Sequence, residues 1–233
     1  RLFIQQNSEM LYTSESRYNL KVYNYSAAYD NMLADLALII KLNTDPATKS
    51  LPSVIANGSN ANQIAAARIL TAFIFQALTD RWGDVPYSQA LKGLASPLPK
   101  FDTQQSIYTA LFKELKEAQA QFDSGAAIKG DFINGNSNAK WKKFANQIRM
   151  NMALRLSKVD PVTGKAEFNA ALADGVLSSN ADNIFYTFLA ESANYGEGIG
   201  NITTLKKMTR GNYEQYSYIS RQAMRYSLVR QLK

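Results

Sequence analysis

The 233-residue sequence predicts a mostly α-helical chain, built of helix pairs with long irregular loops and at most one short strand. Apolar residues recur at three- and four-residue spacing through four long segments, the period of an amphipathic helix. Capping and breaking residues bound those segments, among them Asn62, Gly83, Asp102, Asn138 and Pro161. Only residues 183–189 (NIFYTFL) are dense in β-formers.

Residues 25–42 place Tyr25, Tyr29, Met32, Leu33, Leu36, Ile39 and Ile40 on one helical face. Pro46 ends that segment, because it disfavours helical geometry at the residue before it. Residues 51–62, with Pro52, Asn57, Gly58, Ser59 and Asn60, read as loop. Asn62 then caps a helix to about Arg81 with two apolar faces. One face carries Ile64, Ala67, Ile74, Phe75 and Leu78, the other Ala66, Ile69, Leu70, Phe73 and Ala77. A helix apolar nearly all round is buried among other helices. Gly83 follows where a left-handed C-terminal residue is needed.

After a loop over 84–100, Asp102 caps a third helix that runs to about Asp123, with Gln105 at the capping-box return position. Its stripe is Ile107, Tyr108, Leu111, Phe112, Leu115, Ala118 and Phe122. A glycine- and asparagine-rich loop spans 125–138, and Asn138 caps a fourth helix with Trp141, Phe144, Ala145, Ile148, Met152 and Leu156 in register. Asp160-Pro161 stops it, and a shorter helix over 165–174 ends at Gly175. Residues 195–200 read as loop, and a last helix runs from about Ser217 to Lys233. Paired helices of this length suggest tetratricopeptide-like repeats, whose period is ~34 residues. Loops of unequal length break that regularity here.

Composition excludes much chemistry. The chain has no Cys and no His. Thiol nucleophiles, Ser-His-Asp triads and histidine or thiolate metal sites are therefore ruled out. No catalytic residue, metal or cofactor is expected. The net charge of +7 is concentrated: residues 199–233 hold seven Lys/Arg against Glu214 alone, and residues 1–198 are near neutral. No nucleic-acid motif accompanies that basic segment, and nucleic acid is not an expected partner. The longest apolar runs, 36–40 and 69–75, fall short of the ~20 residues of a membrane span. The start at Arg1, without Met or a leader-like segment, reads as a cut chain. The alternation Gly196, Gly198, Gly200 lacks the following helix and Lys of a phosphate loop and reads as flexible loop. Carboxylate pairs for glycoside hydrolysis would have to come from scattered residues such as Asp80, Asp84, Glu191 and Glu197.

Three stretches are more specific. Residues 65–91 read AAARILTAFIFQALTDRWGDVPYSQAL, residues 99–104 read PKFDTQ followed by Ile107-Tyr108, and residues 141–146 read WKKFAN followed by Arg149, Ala153, Arg155 and Leu156. In order and spacing they resemble the hallmark segments of the SusD/RagB family, densely over 62–159 and loosely elsewhere. In the turn motif Trp82, Gly83, Asp84, Pro86 and Tyr87, the glycine relieves strain, the proline fixes the chain and Asp84 bonds nearby amides. Trp82 and Tyr87 then cover the end of the buried helix. Trp141 is read as core, and Arg149 and Arg155 as reaching carboxylates or helix ends.

The resemblance implies a single SusD-like α/α domain over 1–233, as part of a longer chain or one with segments missing. It implies a surface-exposed outer-membrane lipoprotein of Bacteroidota, tethered by an N-terminal lipid not present in this chain. Its partners would be an oligosaccharide or peptide ligand and a SusC-type TonB-dependent transporter, over which it closes as a lid. A tetratricopeptide-like adaptor of an outer-membrane assembly, without a nutrient role, is the alternative. Sugar recognition needs aromatic faces for pyranose C–H groups. Aromatics off the helical stripes are the candidates: Tyr12, Tyr18, Tyr23, Tyr195, Tyr213, Tyr216 and Tyr218. The polar loops 43–62, 84–100 and 125–138 suit the rim of a partner interface.

Overall fold

The computed structural model describes residues 25–131, 133–184, 206–210 and 214–218. They fall into two compact units, the first within residues 24–184 and the second containing the two strands after residue 205.

The first unit is helical. A π-helical segment, Ala28–Leu33, leads into α1 (Ala34–Thr44). Ala28 and Leu33, five residues apart as a π turn requires, both face the core. That widened turn shifts the register and puts Met32 and Ile39, expected on the buried face, at the surface. Residues 51–62 are less irregular than expected. They contain the single turn α2 (Pro52–Ile55), with Pro52 at its first position where a missing N–H costs nothing.

The central helix α3 (Asn60–Trp82) begins earlier than its expected cap. Ser59 Oγ accepts from the Asn62 amide at 3.2 Å and is the true cap. Asn62 lies one turn inside and is fully buried, accepting from the Asp123 amide and donating to the Ala126 carbonyl. It therefore joins the start of α3 to the chain leaving the next helix. Ala65, Ile69, Ala72, Phe75 and Leu78 are buried, but Phe73 and Ala77 face outward, so only part of the second apolar face is core. Among the described residues α3 alone is long and apolar enough to cross a membrane. Its buried contacts are with α1, α4 and α5, as for a core helix. Gly83 ends it with φ 74°, the positive value expected, and its amide donates to Thr79 O at 2.8 Å.

β1 (Val85–Pro86) pairs antiparallel with β2 (Phe101–Asp102), Val85 opposite Asp102 and Pro86 opposite Phe101. Asp102 is thereby taken into a strand, and Thr103 caps α4 (Gln104–Gln121) by accepting from the Ser106 amide. Likewise Ser137, not Asn138, caps α5 (Asn138–Arg155). Trp141 is buried as expected, and its indole donates to Asp131 at 2.8 Å. The last α-helix among the described residues, α6 (Pro161–Ala173), starts four residues before the expected position. Asp160 caps it and Pro161 opens it, so the dipeptide read as a stop for α5 is the start signal of α6. A Cβ at Gly164 would come within 2.9 Å of Ala153 O, and this close approach of α6 to α5 requires the glycine.

α3 packs with α4 and α5 with α6, while α1 lies along α3. The core between them is formed by Leu33, Ile69, Ile107, Leu111, Leu115, Ile148 and Met152. The helix-pair reading holds.

In the second unit β3 (Lys206–Arg210) and β4 (Glu214–Tyr218) form an antiparallel ladder, with Lys206 opposite Tyr218 and Arg210 opposite Glu214. Ser217 and Tyr218, expected to open a final helix, close β4 instead. The missed signal is Gly211-Asn212 between two short runs rich in Thr and Tyr, a hairpin pattern. The expected strand at 183–189 and the rest of the expected last helix lie almost wholly outside the described residues.

Candidate functional site

The turn after α3 is held by two carboxylates. Asp102 Oδ2 accepts from the amides of Tyr87 (3.1 Å) and Ser88 (2.6 Å), and its Oδ1 from the Ser88 hydroxyl (2.9 Å). Asp84, read as bonding nearby amides, reaches 20 residues on and accepts from the Gln104 amide at 2.9 Å. Gln104 returns the link by donating to Thr79 O at 2.6 Å. Trp82 and Tyr87 are half-buried against the core, as expected of covers on the helix end. Trp82 stacks edge-on with Tyr25 and lies 4.9 Å below the Arg81 guanidinium. Tyr29 donates to Pro86 O at 2.6 Å, tying the first helical segment to the same turn. Burial pushes the hydroxyls of Tyr29 and Tyr87 up to about 12.

Beside this turn runs an open groove of about 920 Å³ between α4 and the α5–α6 junction. Gln105, Thr109 and Lys113 line one wall, and Val159, Thr163 and Glu167 the other. Asp80 closes one end. Tyr108 donates to it, as do Gln76 (2.9 Å) and Arg155. Burial first, then that bond to Asp80, raises the Tyr108 hydroxyl well above its ordinary value. At the other end Lys116 and Arg149 share Glu167. These bonds span α3, α4, α5 and α6, with partners as much as 75 residues apart. No local sequence pattern marks Asp80 for this position.

The groove can hydrogen-bond but cannot stack. Tyr108 and Phe112 line it edge-deep and buried. Among the described aromatic residues of the helical unit Phe73 and Phe101 are exposed, and Tyr25, Tyr29, Trp82 and Tyr87 are half-buried against the core. Of the ligand candidates, Tyr12, Tyr18, Tyr23, Tyr195 and Tyr213 lie outside the described residues, and Tyr216 and Tyr218 fall on β4. The alternative of paired catalytic carboxylates finds Asp80 and Asp84 each occupied by structural donors, with Glu191 and Glu197 outside the described residues. No group of three or more Asp or Glu that could hold a metal ion occurs among the described residues.

Three carboxylates are held below their ordinary value: Asp160 by the hydroxyl and amide of Thr163 at the start of α6, and Asp102 and Asp182 by more distant partners. Burial alone would raise Asp102, but the amide and hydroxyl of Ser88, the amide of Tyr87 and nearby Lys100 outweigh it and hold it below the ordinary value. Asp182 is held lower still, chiefly by Lys143, whose ammonium donates at 2.8 Å, and then by the Ser178 amide. A carboxylate whose pKa falls on folding contributes stability that is fully present above its unfolded pKa and is lost as pH falls through the folded value. The melting temperature is therefore expected to be flat from neutral pH down to the carboxylate range and to drop below it. Asp102→Asn should lower it at neutral pH and shallow the acid limb. Melting curves across that range check this; an unaltered acid limb in the variant would mean that Asp102 does not act as described.

The SusD-like family described as starch-binding, associating with outer membrane, matches residues 1–220. No curated protein matches the chain. Among solved structures, a Bacteroidetes AC2a SusD-like protein is 34% identical with TM-score 0.60, over 75% of this chain and 30% of its own. A chitin-binding protein is 36% identical with TM-score 0.59, over 74% of this chain and 36% of its own. A SusD homologue from Parabacteroides distasonis is 31% identical with TM-score 0.56, over 66% and 29%. The chain spans about a third of the length of these relatives. With helix pairs in place and a family match running through residue 220, the chain belongs to the SusD-like family of outer-membrane-associated proteins.

Proposed function

We propose that this chain is the helical scaffold of a cell-surface nutrient-binding lipoprotein that captures oligosaccharides and acts as the lid of a SusC-type TonB-dependent transporter. It has no catalytic role in this reading, and residues 1–233 form part of one SusD-like domain. The observation that carries the reading is the family match over residues 1–220. A glycan is favoured over a peptide because one of the similar structures is a chitin-binding protein.

In this reading the helical body serves as docking scaffold. Two of the long loops meet at the start of α3: Ser59 N donates to Ala126 O and Lys129 N to Asn57 O, both at 2.9 Å. We place the transporter rim on that shared edge. Affinity capture of the full-length protein from outer-membrane extracts is the test. Co-recovery of a TonB-dependent barrel is expected. Recovery with secretion machinery and no transporter would overturn the lid in favour of an adaptor.

A further inference from the structure

The segment between β1 and β2 is at the other end of α3. Its sequence reads as a polar loop. In the structure it carries the most exposed apolar side chains of the described residues, Leu94 at 98% and Leu98 at 91% exposure, with Leu91 also exposed. Residues 85–101 contain two lysines and no Asp or Glu. Lys92 is exposed near the tip, while Lys100 stands at the base with its ammonium 3.8 Å from Asp102.

The loop is also preformed. The β1–β2 pairing and the three bonds to Asp102 hold its base, and Gln89 Oε1 accepts from the Lys100 amide at 3.1 Å. A single 3₁₀ turn, Gly93–Ala95, and Pro97 and Pro99 stiffen the tip. Leu91 has φ 62°, a left-handed conformation uncommon for a non-glycine residue and found where surrounding structure enforces it. A rigid loop that holds leucines in water loses little entropy on docking.

We propose that this loop is a contact with the bilayer surface: Leu91, Leu94 and Leu98 enter the headgroup boundary of an anionic membrane, and Lys92 sits at phosphate level. Apolar tips flanked by basic residues bind such surfaces by burial plus attraction to anionic lipid. The proposal rests on the family's outer-membrane association and not on the transporter partnership. The rim proposed for the transporter is at the opposite end of α3, about 35 Å away for 23 helical residues.

The test is co-sedimentation of the full chain with vesicles of phosphatidylcholine containing phosphatidylglycerol at roughly one lipid in three. Leu94→Ser/Leu98→Ser should bind about tenfold more weakly with an unchanged melting temperature, because both side chains are solvent-exposed. Lys92→Glu should also weaken binding, and pure phosphatidylcholine should bind less well. Wild-type protein that fails to sediment overturns the proposal. Equal binding by the double variant overturns it too, and assigns the attraction to the basic residues 206–233. Loss of transporter capture by the double variant, with vesicle binding unchanged, would make the loop a protein-docking element instead. Absence of a barrel in affinity capture would sink the lid reading and leave the vesicle result standing.

Discussion

Phe75→Asp is expected to abolish cooperative folding. Phe75 is 3% exposed in the middle of α3. Its ring meets Tyr29 edge-on at 5.8 Å and Tyr87 at 4.8 Å, so it joins the first helical segment and the turn after α3 to the core. Tyr29 is committed to Pro86 O and the surrounding cluster is largely apolar, with no cation in it to pair with a carboxylate. An unpaired buried charge costs several kcal/mol, and loss of the packed ring adds about 3–5 kcal/mol. The sum approaches the whole ~5–15 kcal/mol stability of a domain. Thermal melts followed by circular dichroism should show no transition. Ile74→Asp is the control. Ile74 is only half-buried, and the same charge there can reach water at smaller cost. A Phe75→Asp protein melting within a few degrees of wild type would mean that α3 is not the central buried helix.

The periodicities of Leu111, Leu115, Ile148 and Met152 were enough to place the helices and their buried stripes, because an apolar face at 3.6-residue spacing has one stable use. What failed was punctuation. Asn62, Asp102 and Asn138 are all good cap residues, yet Ser59, Thr103 and Ser137 do the capping. Each rejected residue had a tertiary partner or strand position that local sequence does not reveal. Asn62 bonds the chain beyond α4, and Asp102 the amides after β1. The π turn of Ala28–Leu33 escaped for a related reason, since a stripe counted at 3.6 residues assumes the helix it is meant to detect. The turn motif Trp82, Gly83, Asp84, Pro86, Tyr87 pointed to the scaffold. The groove beside it was invisible, because Asp80, Tyr108, Arg155 and Glu167 come from four helices. The exposed leucines of the β1–β2 loop were masked by the prolines, glycine and lysines between them, which make the segment polar on average.

Arg149 is the other site where a single change should be costly. Its side chain is 1% exposed on α5. Nη1 donates to Asp174 at 2.7 Å and to Asn146 at 2.9 Å, and Nη2 to Glu167 at 3.4 Å. Asn146 in turn donates to Gly175 O at 2.9 Å, so the pair holds the C-terminal end of α6 against α5. Removing one partner of a buried ion pair typically costs 3–5 kcal/mol. Arg149→Ala should fall near the lower end, about 3 kcal/mol, because Asp174 is 49% exposed and can rehydrate and Glu167 keeps Lys116. Arg149→Lys should recover only part of this, since one ammonium cannot reproduce the guanidinium fork that reaches both carboxylates. Arg149→Met separates volume from charge. It fills the space but leaves both carboxylates without the guanidinium; because Asp174 can rehydrate and Glu167 keeps Lys116, the packing it restores is most of what Ala loses. The expected order of loss is Ala, then Lys, then Met, measured by urea unfolding with a constant slope. A double-mutant cycle with Asp174→Asn should give a coupling of about 1–3 kcal/mol that persists in high salt, because a pair buried on one side is poorly screened. If Arg149→Ala costs under about 0.5 kcal/mol, as surface substitutions do, the guanidinium is not what holds α6 in place, and the contact of Gly164 with Ala153 must carry the α5–α6 pair by itself.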